Sequence, residues 1–79
     1  MATDARTFHE IWESLTAAQA ADLRESILSK TGASSNTFWF WKTGTSSPAS
    51  RNDRRTIARL VTATLGIAVH EATLFPRKR

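Results

Sequence analysis

Apolar positions recur along this chain at helical spacing, in segments separated by glycines. Phe8, Ile11, Trp12 and Leu15 stand at i, i+3, i+4 and i+7, which predicts an amphipathic first helix. Thr7 and Glu10 have the spacing of a capping box at its start, with Asp4 as an alternative cap one turn earlier. A second helix follows at once: Thr16 and Gln19 repeat the capping spacing, and Ala17, Ala18, Ala20 and Ala21 favour helix. Ala20, Leu23, Ile27 and Leu28 give this helix a buried stripe. Gly32 can take the positive φ that ends it, and Ser34 is a natural N-cap for a short third helix over residues 35–43. Phe38 and Trp41 lie one turn apart on that helix, and Gly44 ends it. The fourth helix starts at Ser50, with Asp53 three residues on in a capping-box-like spacing. Ile57, Ala58, Val61 and Leu65 form its inner face, Leu60 lies beside them, and Gly66 is its stop. A last short helix spans about residues 69–74 and closes on Phe75; Pro76 stops it, and residues 77–79 form a basic tail expected to be disordered. Period-two alternation is missing except in Phe38, Trp39, Phe40 and Trp41, which have no second strand to pair with. The expectation is five helices and no sheet.

With 79 residues the chain is one small domain, near the lower size limit for a core that holds without staples, and helices build such a core most easily. It has no cysteine, so neither a disulfide framework nor a thiolate metal site is available, and His9 and His70 alone cannot hold a metal. No cofactor is expected, and both histidines are expected at the surface. Neither a basic n-region followed by an apolar run nor a membrane-length apolar stretch is present, so a soluble, cytoplasmic protein with no membrane partner is expected. An enzyme is not expected either: there is no Gly-rich phosphate loop, no Cys/His pair and no metal-spaced set of ligands.

Charge divides the chain. Residues 1–30 hold Arg6, Arg24 and Lys30 against Asp4, Glu10, Glu13, Asp22 and Glu25, whereas residues 31–79 hold Lys42, Arg51, Arg54, Arg55, Arg59, Arg77, Lys78 and Arg79 against Asp53 and Glu71. A net charge of +4, gathered in the half that contains the short third helix, favours a polyanionic partner; solubility alone would also account for it.

The order Gly32, Ala33, Ser34, Ser35, Asn36, Thr37, Phe38, two further residues, Trp41, then Gly44 and Pro48, resembles the lambda-repressor-like, Cro-type (xenobiotic-response-element type) helix-turn-helix family of DNA-binding proteins. The stretch from Ile57 to Gly66 and Ile67, and then Glu71, Leu74, Phe75 and Pro76, is similar to that family's fourth and fifth helices, so the resemblance covers about residues 16–76. It implies an all-α, compact five-helix bundle with its helix-turn-helix at about residues 16–44, and a core that includes Ala33, Phe38 and Trp41. It also implies that helix 3 enters the major groove of double-stranded DNA, with Ser34 near a backbone phosphate and Ser35, Asn36 and Phe40, flanked by Trp39, facing base edges. Asn suits adenine, and an aromatic edge suits a thymine methyl. Arg51, Arg54 and Arg55 are candidate phosphate contacts, joined around the turn by Lys42, Thr43 and Thr45.

The function expected is that of a sequence-specific transcriptional regulator or mobile-element repressor, acting as a homodimer because one short helix reads few base pairs. Family members usually carry long polar side chains where this chain carries Trp39 and Phe40. The alternative is therefore a protein-protein interaction module on the same fold, with Trp39 and Phe40 as its anchors. Stacking of those aromatics on unpaired RNA bases is a further option, although no RNA-module signature is present.

Overall fold

A computed structural model describes residues 3–76. The architecture is mostly helical, with five helices among the described residues: α1 (Phe8–Ser14), α2 (Ala17–Thr31), α3 (Ser35–Lys42), α4 (Arg51–Leu65) and α5 (Glu71–Leu74). Both capping boxes form. Thr7 Oγ1 accepts the N–H of Glu10 and Glu10 Oε1 accepts the N–H of Thr7, and Thr16 and Gln19 make the same reciprocal pair. The cap of α1 is therefore Thr7 and not Asp4. At α4 the exchange is one-sided: Ser50 accepts from the N–H of Asp53, whose shorter side chain returns nothing.

The two 15-residue helices, α2 and α4, make the most extensive helix pair, and α1 packs against α3 and α5. Phe8 and Ile11 of α1, Leu23 and Ile27 of α2, Phe38 and Trp41 of α3, and Ile57, Ala58 and Val61 of α4 converge on one core, closed by Val69, Leu74 and Phe75. The seam between α1 and α3 is aromatic. Phe8 and Trp12 both meet Phe38 edge-on, at centroid distances of 6.3 and 5.1 Å, and Phe75 reaches Phe8 at 5.5 Å, within the range that favours aromatic pairs.

Four expectations need correction. The first is the absence of a sheet: β1 (Thr3–Asp4) and β2 (Ala68–Val69) pair in parallel, Thr3 opposite Ala68 and Asp4 opposite Val69. Two residues per strand leave no period-two signature to read. Second, α5 begins at Glu71 and not at 69, because Val69 is extended and donates its N–H to Thr62 Oγ1 at 3.1 Å. Third, α3 ends one residue earlier than expected, at Lys42, with Thr43 as its C-cap, whereas Ser50 caps α4 as its spacing to Asp53 implies. Fourth, His9 is only partly exposed: its Nδ1 lies 2.9 Å from the carbonyl oxygen of Lys42, so the imidazole joins α1 to the end of α3. Trp12 and Ala33, expected in the core, are partly buried at its edge. The tail at 77–79 lies outside the described residues. Among the described residues no helix is long and apolar enough to cross a membrane.

Candidate functional site

The turn from α2 into α3 is short and tightly specified. Gly32 adopts φ 72° and donates its N–H to the carbonyl of Leu28, a left-handed C-cap that a residue with a Cβ would occupy only under strain. Two residues later Ser34 accepts the N–H of Thr37 at 3.1 Å and also donates its hydroxyl to Thr37 Oγ1 at 3.0 Å, which starts α3. Phe38 and Trp41, spaced one turn apart, hold α3 in the core, so the opposite face of the helix points outward.

That outward face carries the central group of expected contact residues. Ser35 and Trp39 are four residues apart, as are Asn36 and Phe40, and together these four line one shallow hollow. Trp39 is 49% and Phe40 37% exposed, a large apolar area for a small domain. The two rings meet nearly perpendicular, at 79° and 5.3 Å between centroids. The side-chain amide of Asn36 is exposed and makes no hydrogen bond within the described residues. Ser35 Oγ accepts a 2.8 Å bond from Arg24 Nη2, which leaves its hydroxyl hydrogen free to donate outward.

The remaining expected residues separate into two places. Lys42 and Thr43 line the adjoining hollow with Trp39, which also contains Trp12 and Glu13, and Lys42 Nζ sits 5.6 Å from the centre of the Trp12 ring in a cation–π arrangement. Thr43 Oγ1 is tied to the carbonyls of Trp39 and Phe40 and to Thr45 Oγ1, so the two threonines brace the end of α3. The N–H groups of Thr45 and Ser46 both donate to the Phe40 carbonyl, which fixes the start of the loop.

Three arginines in the first two turns of α4, Arg51, Arg54 and Arg55, are engaged within the molecule. Arg54 Nη1 donates to the carbonyls of Pro48 and Ala49 at 2.7 and 3.0 Å and closes the loop ahead of its own helix. Arg51 and Arg55 flank one carboxylate oxygen, Glu71 Oε1, at 3.2 and 3.6 Å. Neither lines the hollow at Trp39 and Phe40. Both side chains stay more than half exposed, so a competing anion can reach them. The other carboxylate oxygen, Glu71 Oε2, is buried without a hydrogen-bond partner.

Arg24 belongs to this site and was not among the expected contacts. It sits on α2, 11 residues before Ser35, and only the chain reversal at Gly32 brings it over the start of α3. The sequence signal was its position two turns before the helix stop, one residue after the buried Leu23 and itself exposed. Comparison with protein-family models, with curated proteins and with solved structures finds no match.

Proposed function

We propose that this protein binds double-stranded DNA as a helix-turn-helix regulator, with α3 in the major groove. The observation that carries the reading is the outward face of α3. It projects from a tight α2 turn, bears an unpaired amide at Asn36 and an outward-donating hydroxyl at Ser35, contains no acidic residue, and has a cation at each end, Arg24 and Lys42. Arg24 beside the N-terminus of α3 suits a backbone phosphate, because the helix dipole and the guanidinium favour the same charge. Binding as a homodimer would supply the second half-site that a short helix requires.

A titration of labelled random-sequence duplex at low and moderate salt tests the reading. The expected result is binding that weakens steeply with salt, with quenching of tryptophan fluorescence as Trp39 meets the DNA. Asn36→Ala should weaken binding to its preferred site by about 1–3 kcal/mol while leaving the helical content unchanged. No binding at low salt would defeat the reading. The exposure of Trp39 and Phe40 favours one second reading, a protein-interaction module on the same fold, and that outcome would select it.

A further inference from the structure

We infer that the hollow on α3 recognises the 5-methyl group of a pyrimidine beside an adenine, so that the DNA it selects is A·T-containing duplex read through its thymine methyls. This inference rests on the DNA-binding reading and specifies what that site takes.

The hollow has two chemically different ends. At the start of the helix are Ser35, whose hydroxyl is oriented by Arg24, and Asn36, whose amide offers a donor and an acceptor side by side. One turn on are the edge and face of two aromatic rings, Trp39 and Phe40, set at 79° to each other. An A·T pair presents the matching order in the major groove: adenine offers N7 as acceptor and N6 as donor, and thymine offers an apolar methyl. A G·C pair offers guanine acceptors and a cytosine amino donor with no methyl, so the aromatic wall would desolvate a polar group without pairing it. A perpendicular aromatic pair at 5.3 Å forms a notch of edge and face, which suits one methyl better than a flat base. The long polar side chains that would read guanine are missing from this face. Arg24 and Lys42, the cations at its two ends, are placed for phosphates.

The test compares three synthetic duplexes of equal length with the full chain at one salt concentration: alternating dA-dT, alternating dA-dU, which lacks only the methyls, and alternating dG-dC. The dA-dT duplex should bind most tightly, and loss of the methyls should weaken binding about fourfold, the equivalent of one buried carbon per site. Phe40→Ala should abolish the difference between dA-dT and dA-dU, whereas Asn36→Ala should lower affinity for both and preserve their ratio. Phe40 is exposed, so its loss leaves the core intact, and circular dichroism checks this. Equal affinity for dA-dT and dA-dU overturns the inference and leaves the DNA-binding reading standing. A methyl effect that survives Phe40→Ala also overturns it, because the difference would then come from duplex shape. Binding to none of the three overturns the DNA-binding reading together with the inference.

Discussion

Trp41 and Phe40 are neighbours in sequence with opposite roles. Trp41 is 6% exposed among the core residues and Phe40 is 37% exposed, because successive helix positions point about 100° apart. Trp41→Ala should cost about 3–5 kcal/mol in a chemical-denaturation measurement, as large-to-small substitutions in packed cores do. A loss below about 1 kcal/mol would show that α3 is not anchored through this ring. His9 shows how a residue can look like surface in sequence and act as a brace in the fold. A carbonyl acceptor at Nδ1 requires that nitrogen to carry the proton, which assigns the tautomer and leaves Nε2 bare in the neutral ring. Its partner is 33 residues away, a separation that no local pattern reports.

At the scale of elements, helix starts were the most legible features, because a cap is written within four residues. Thr7 with Glu10, Thr16 with Gln19, and Ser34 were readable as caps and act as caps. The bonds from Thr7 favour the charged form of Glu10 and hold its carboxyl below the ordinary value of 4.5, first through the Thr7 backbone N–H and then through its hydroxyl. Since the folded state binds this proton less readily than the unfolded chain, the contribution of the box is complete above the ordinary carboxylate range. It is lost as pH falls through the lowered value. Glu10→Gln should therefore flatten the acid limb of a thermal-stability profile between about pH 5 and pH 2, and an unchanged limb would count against the box. The strand pair was illegible for the converse reason. Thr3–Asp4 and Ala68–Val69 are too short for periodicity, and only the packing of α1, α4 and α5 brings them together. Around the hollow, the exposure of Trp39 and Phe40 followed from helical spacing, whereas the approach of Arg24 depended on the fold.

For the whole molecule, charge balance depends on how α5 meets α4. Three arginines in the first two turns of α4 oppose the helix dipole, and Glu71, brought in by the chain reversal at Gly66, offsets two of them, Arg51 and Arg55. Sequence reading assigned these arginines to phosphates because their acidic partner lies 20 residues from Arg51. Glu71→Gln should lower stability by about 1 kcal/mol or less, since both arginine partners are more than half exposed to water. It should also steepen the salt dependence of duplex binding by about one or two units of slope, as the released guanidiniums become available to phosphates. An unchanged slope would remove Arg51 and Arg55 from the DNA-contacting surface.

The aromatic seam also has a thermodynamic consequence. Phe8 touches Phe38 of α3 on one side and Phe75 at the far end of the chain on the other, while the first residues of the described chain are paired with Ala68 and Val69. Phe75 and the outward-facing helix thus share α1 as a common support, and the strand pair ties the start of the described chain to the segment that leads into α5. Fraying at either extremity and tilting of α3 draw on the same opening free energy, so a load, a fusion or a bound partner that steadies the chain ends would also narrow the range of poses in which α3 is presented.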